Sequence, residues 1–353
     1  MANALVVYYS RKGENYMPGG VQVLEKGNTA YAAEYIAKKQ FYDQRREFNR
    51  VLAQEARAEH LTGRMIEAAE ATNRMLPLIR RGGPRMDETD IHTEAVLVLT
   101  DWHYGMKTDN IWNRYDVHIC RERIEMLYDL AAARLQQHNV DRLHVFILGD
   151  MANGAIHTSS RVASEEDVCD QLMQVSEMLA ELISDLTDLV SETQIYCAYG
   201  NHMRTVQNAK DSIHSDNMEK IIPWWMKQRF SERDDIFIME TNSHELLRAS
   251  VCGYEVCGLH GDLDNSRTNT LILSQLYEKA FGRKMEYLFT GHFHSIENDE
   301  SLGIETIRSG SLCGTDEFAK NKRLFSSPRQ TLAIFEPCYG LDAVYHLRVA
   351  GGE

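Results

Sequence analysis

Five short apolar runs, each stopping at side chains that can bind a metal, constrain this chain more than any other feature. Val96-Leu-Val-Leu-Thr-Asp101-Trp-His103 ends in Asp-x-His, and Val145-Phe-Ile-Leu-Gly-Asp150 ends in Gly-Asp. Gln194-Ile-Tyr-Cys-Ala-Tyr-Gly200-Asn201-His202 closes on Gly-Asn-His, and Tyr254-Glu-Val-Cys-Gly-Leu-His260-Gly-Asp262 on His-Gly-Asp. The last, Tyr287-Leu-Phe-Thr-Gly-His292-Phe-His294, closes on Gly-His-x-His. Continuous apolar runs of this length are expected as buried strands of sheets covered on both faces, with ligands gathered at their carboxyl ends. One Gly-His-x-His alone is more often a loop or a core histidine than a ligand pair. Five runs that end the same way are not explained by packing.

In this order the motifs resemble the calcineurin-like metallophosphoesterase superfamily, whose signature is Asp-x-His, Gly-Asp, Gly-Asn-His, a lone His and Gly-His-x-His. The resemblance covers roughly residues 94 to 349. It implies an α/β fold, a four-layer sandwich of two mixed β-sheets flanked by helices. It also implies a site with two divalent ions bridged by one carboxylate. Matched motif by motif, Asp101, His103 and His294 would hold the first ion, and Asn201, His260 and His292 the second, with Asp150 between them. His202 resembles the family's transition-state histidine, suited to the role because imidazole titrates near neutral pH. Asp262 is a candidate to orient a ligating imidazole through its second nitrogen. Many members carry an acid after Gly-Asn-His and an Asp three residues beyond the bridging Asp; here those places hold Met203 and Asn153.

The chemistry implied is hydrolysis of a phosphate ester. A phosphodiester repels its own nucleophile, and two ions about 3.5–4 Å apart neutralise its oxygens and acidify a water for attack. Two carboxylates and four imidazoles suit two divalent transition-metal ions, manganese foremost and iron, zinc, nickel or cobalt as alternatives, over magnesium or calcium. The absence of cysteine from the set argues against a structural zinc. The family's DNA-repair-exonuclease branch makes a phosphodiesterase acting on DNA, RNA or a nucleotide the expected function. A phosphomonoesterase, or a metal-bound scaffold with little turnover, is the alternative. Arg204, His157, Arg161 and Arg267 fall on loops near the motifs and are candidate substrate contacts.

A formal charge of −14 disfavours nonspecific adsorption to nucleic acid or anionic membrane without excluding a local basic groove. There is no run of about 18 apolar residues and no basic-then-apolar leader, so a cytoplasmic protein that does not enter the membrane is expected. Seven cysteines, with no Cys-x-x-Cys pair, read as reduced thiols; Cys252 and Cys257 fall within one predicted hairpin.

The chain divides in expectation into residues 1–40, a helical extension and linker over 41–85, and a catalytic domain over 86–353. Residues 4–40 resemble the opening βα unit of a flavodoxin, with a strand from Ala4 and a helix over Gly27–Ala37 capped at Asn28 or Thr29. No further alternation of strands and helices follows before residue 94, and one βα unit cannot enclose a flavin, so no flavin is expected. Residues 39–81 read as helix, with an apolar stripe of Phe41, Phe48, Leu52, Leu61 and Met65 and arginines 45, 46, 50, 57 and 64 on other faces. This extension is the expected site of a protein partner or of homo-oligomerisation, and Arg80-Arg-Gly-Gly-Pro84 its linker. Further helices are expected over Arg121–Gln137, over 172–190 and over Asn269–Phe281. Residues 330–349 should form two strands joined near Gly340 that complete the second sheet.

Overall fold

The computed structural model describes residues 13–17, 20–24, 28–75, 93–154, 156, 164–240, 243–264 and 270–350. Residues 1–66 and 67–353 form two compact units.

In the first unit, β1 (Gly13–Met17) and β2 (Gly20–Leu24) pair antiparallel, with Met17 opposite Gly20. A helix, α1 (Asn28–Met75), then runs 48 residues, about 72 Å at 1.5 Å per residue. The strand expected from Ala4 lies outside the described residues, the hairpin over 13–24 was not among the expectations, and α1 takes in the helix expected over Gly27–Ala37 from Asn28 on. The boundary expected at residue 40 also falls inside one helix. The sequence between Asn28 and Met75 holds no proline and a single glycine, Gly63, so nothing stops the helix once nucleated. Phe41, Phe48 and Leu52 of the anticipated apolar stripe are exposed, and Met65 is buried. The linker at 80–84 lies outside the described residues.

The second unit is an α/β sandwich. Its strands and helices, in order, are β3 (Glu94–Leu99), β4 (Thr108–Asn110), β5 (Asn113–Tyr115), α2 (Val117–Gln137), β6 (Arg142–Ile147), α3 (Val168–Thr187) and β7 (Glu192–Cys197). There follow α4 (Ile221–Arg229), β8 (Ile236–Ile238), β9 (Leu247–Val251), β10 (Tyr254–Leu259), α5 (Thr270–Phe281) and β11 (Tyr287–Thr290). The last are β12 (Glu297–Ser301), β13 (Ile304–Arg308), α6 (Glu317–Asn321), β14 (Arg329–Glu336) and β15 (Gly340–Arg348). One mixed sheet has the order β15-β14-β3-β6-β7-β8 and the other β12-β13-β11-β10-β9.

Alternation along the strands decides which side chains meet. Val96 and Val98 of β3, Phe146 of β6, Val256 of β10, Phe289 of β11 and Phe335 of β14 fill one core between the sheets. Leu97, Leu99, Val145 and Ile147 point the other way and are equally buried, under the apolar faces of α2 and α3. On the far side of the second sheet, Leu273 and Tyr277 of α5 pack on Cys257, Leu259 and Leu288. Helices, sheet, sheet and helix thus form four layers. At the start of α2, the Asp116 carboxylate accepts from the backbone N–H groups of His118 and Ile119, a cap worth about 1 kcal/mol.

One sequence expectation fails here. The C-terminal hairpin pairs through β14 with β3, antiparallel, and so extends the sheet carrying Asp101 and Asp150 instead of completing the other. The parallel crossovers carry the chain from β3 to β6 and β7 on one side. The other edge of β3 is thereby left for an antiparallel partner whose Ala333 and Phe335 join the inter-sheet core. Among the described residues no helix is long and apolar enough to cross a membrane.

Candidate metal centre

β3, β6 and β7 lie parallel in one sheet, and β10 and β11 parallel in the other, so all five motifs follow carboxyl ends on one edge of the sandwich. The chain turns sharply as it leaves them. Asp101, His103, Asp150, His292 and His294 all take left-handed backbone, with φ between 47° and 66°. Outside glycine such conformations cost on the order of 1–3 kcal/mol each and gather where function demands them.

Glycine permits the loops to close on one another. A Cβ on Gly200 would fall on the Asp150 carboxylate, and one on Gly291 would collide with the Thr100 hydroxyl and Asp101.

The side chains converge in two overlapping groups. Asp101 accepts at Oδ2 from the Thr100 hydroxyl (2.8 Å) and the His292 backbone N–H (2.8 Å). Its other oxygen, Oδ1, is buried and among the described residues has no hydrogen-bond partner; it stands 3.4 Å from His294 Nε2 and 3.7 Å from His103 Nε2. The two imidazole nitrogens are themselves 3.1 Å apart.

In the second group, His260 Nε2 lies 3.1 Å from Asp150 Oδ2, 3.2 Å from Asn201 Oδ1 and 3.2 Å from His292 Nδ1. Asp150 belongs to both: its carboxylate comes within 4.8 Å of the donor atoms of His103 and His202, and likewise of those of His260 and His292. The seven residues matched by motif therefore meet in one place.

Electrostatics fit a cation. Burial would raise both aspartates, yet the neighbouring imidazoles hold Asp101 and Asp150 far below the usual carboxylate range. Burial pulls His260 down, and Asp150 beside it outweighs this and raises it to about 10. His103 falls to about 4 through burial and its proximity to His202 and His294. Without a metal, protons on imidazoles balance the buried carboxylates. Divalent ions would take their place, and Asp101 Oδ1 would gain a short contact in place of the longer ones to His294 and His103.

His202 stands at the edge of the cluster, its ring 4.5 Å from that of His103 and edge-on to it. Its backbone N–H donates to Asp150 Oδ1 (2.7 Å), and its Nδ1 donates to the Asn153 carbonyl (2.9 Å). A carbonyl only accepts, so Nδ1 carries a proton. The Asn153 side chain turns instead to the Ser164 hydroxyl, so the backbone of residue 153 orients the histidine. Behind His260 it is the Leu148 carbonyl that accepts from Nδ1, at 2.7 Å. Arg204 donates from Nε and both terminal nitrogens to the carbonyls of Val206, Asn201 and Gln207, stapling its own loop where a substrate contact was expected. His157, Arg161 and Arg267 lie outside the described residues.

Sequence reasoning missed the groups behind the ligands. Glu219, fully buried, accepts from the backbone N–H of Met151 at 2.8 Å and of Gly200 at 2.7 Å, tying the residue after Asp150 to the residue before Asn201. Burial and the nearby Asp150 raise its carboxyl to about 7. Asn217 donates to the Gly200 carbonyl (2.7 Å). Gln330 brackets the backbone of Thr100, accepting from its N–H and donating to its carbonyl. The Cys313 thiol lies 4.0 Å from His294 Nδ1. None of these sits at a motif spacing; an acid in a segment between motifs carries no periodic signal.

No family model matches this sequence, and no curated protein does. Among solved structures, the chain is similar to Vps29 of Entamoeba histolytica, solved with zinc, at 14% identity over 72% of this chain and 99% of that one, with a TM-score of 0.33. It is similar to an archaeal phosphodiesterase at 12% identity over 71% and 99% of the two chains, with a TM-score of 0.34. A predicted phosphoesterase of Streptococcus pneumoniae matches at 11% identity over 73% and 92%, with a TM-score of 0.32.

Proposed function

We propose that the second unit is a two-metal phosphodiesterase acting on nucleic acid or nucleotide substrates. The observation that carries this reading is the convergence of seven oxygen and nitrogen donors, with Asp150 shared between the two groups and Asp101 Oδ1 buried and, among the described residues, accepting no hydrogen bond. Asp101, His103 and His294 would hold one ion, Asn201, His260 and His292 the other, and Asp150 both; manganese suits this mixed oxygen and nitrogen set. Bound ions would supply charge neutralisation and a nucleophile at neutral pH.

The protein's own groups do the rest. Buried, mutually braced ligands keep the donors in place before substrate arrives, so little reorganisation is needed at the moment of reaction. With Nδ1–H fixed on the Asn153 carbonyl, His202 donates from Nε2 only as the imidazolium, and in that form it would give a hydrogen bond to a phosphoryl oxygen or its Nε2 proton to the leaving oxygen, returning to the neutral Nδ1–H imidazole.

Hydrolysis of bis-p-nitrophenyl phosphate and p-nitrophenyl phosphate with added manganese tests this, comparing wild type with His202→Ala and Asp150→Asn. Diester turnover in the wild type, lost at least about 100-fold in both variants, is expected. Monoester preference would make it a phosphatase, and no turnover of either ester despite bound metal would overturn the enzymatic reading.

A further inference from the structure

A cavity of about 300 Å³ opens directly beside the candidate ligand His294, at the lower end of the range for small-molecule sites. Its walls come from the segment just after the Gly-His-x-His motif, Ser295 and Ile296, and from the segment that leads into β14, Phe325, Ser326, Ser327 and Arg329. The phosphodiesterase reading leaves this cavity without a role.

Three observations say what it would bind. Arg329 lines it, and among the described residues its guanidinium makes no hydrogen bond or ion pair. In the β14/β15 register Arg329 stands opposite Arg348, so two cations share one face of a hairpin with no acid between them. Like charges directly opposite on neighbouring strands repel, and an anion removes the repulsion.

The second observation is that the hydroxyls of Ser326 and Ser327 are uncommitted among the described residues, while the backbone of Ser326 is pinned to Thr315 by two hydrogen bonds (2.9 and 3.0 Å). Ser326 is therefore held in place with its hydroxyl unused among the described residues. Third, Phe325 is 61% exposed at the rim with Trp112 edge-on to it, ring centroids 6.3 Å apart, which offers an exposed ring face to a flat group. Trp112 follows β4 on a hairpin that Asn113 ties to the carbonyls of Cys313 and Thr315.

We propose that this cavity is a subsite for a second phosphate of the substrate, held by Arg329 with Ser326 and Ser327, while Phe325 stacks on the attached base. The inference rests on the phosphodiesterase reading and narrows it. The substrate carries at least two phosphates, one at the metal centre and one at Arg329, as in a short oligonucleotide. It also reconciles a strongly acidic protein with a polyanionic substrate, since the cation needed is local.

The test uses the full-length protein and a thymidine dinucleotide with and without a terminal phosphate at either end. In manganese-supported hydrolysis the wild type should prefer a phosphorylated form by about tenfold or more in kcat/KM, carried by KM, on the scale of one charge-assisted contact. Arg329→Gln should bring that ratio close to one. Because the Arg329 guanidinium supports no other group among the described residues, the variant should melt as the wild type does. Calorimetric titration of metal-free protein with the same ligands should show the same preference and the same loss. No preference in wild-type binding, or a preference kept by Arg329→Gln, would overturn the subsite even if diesters are hydrolysed. Preferential binding without hydrolysis would sustain the subsite and overturn the catalytic reading.

Discussion

Glu219 gives the most direct test of how the centre is held. Both of its carboxylate oxygens accept backbone N–H groups, one from the residue after Asp150 and one from the residue before Asn201, in a place sealed from water. In Glu219→Ala the N–H groups of Met151 and Gly200 are left buried and unpaired, at about 1–3 kcal/mol each, so about 2–6 kcal/mol in all. Against a typical total of about 5–15 kcal/mol this can leave the fold marginal, so Glu219→Gln is the more informative change. Gln keeps the shape and one acceptor but turns an NH2 group toward an N–H, so its expected cost is about 1–3 kcal/mol. Because the two strand ends carry Asp150, Asn201 and His202, their loosening should weaken metal binding and lower diester turnover by about 100-fold, the scale of a small misplacement of reacting groups. Urea unfolding of the metal-free protein, manganese titration and turnover would be measured together. Stability, metal affinity and turnover all equal to wild type in Glu219→Gln would refute the view that this carboxylate braces the site.

Gly200→Ala places a methyl group on the Asp150 carboxylate and should abolish metal binding at the shared position, read as loss of the metal-induced rise in melting temperature. Glu94 tests acid stability away from the centre. Burial raises its carboxyl, but the hydrogen bond from His144 at 2.8 Å and the charge of Arg142 at 3.0 Å outweigh this and hold it low. A carboxyl lowered in the folded state adds stability above its unfolded pKa and loses it as pH falls through the folded one. Melting temperature should therefore drop with acid below about pH 4.5 in the wild type and less steeply in Glu94→Gln; parallel curves would refute the assignment.

Much of the architecture is legible in the chain because burial on both faces writes itself as unbroken apolar runs. β3, β6, β7, β10 and β11 all form where such runs lie, and their terminal residues needed only parallel pairing to meet. The sequence by itself determined the candidate donors, Asp, Asn and His at five strand ends, because donor identity is a property of residues and not of their neighbours. Tertiary structure decided everything that depends on distant segments coming together. It set Glu219 behind Asp150, gave the Asn153 carbonyl and not its side chain to His202, and turned Arg204 onto its own loop. It also carried the C-terminal hairpin to β3, bringing Arg329 beside His294 across 34 residues of intervening sequence. A hydrogen bond or a shared cavity between such segments has no period to read, so its partners appear only when the chain has folded.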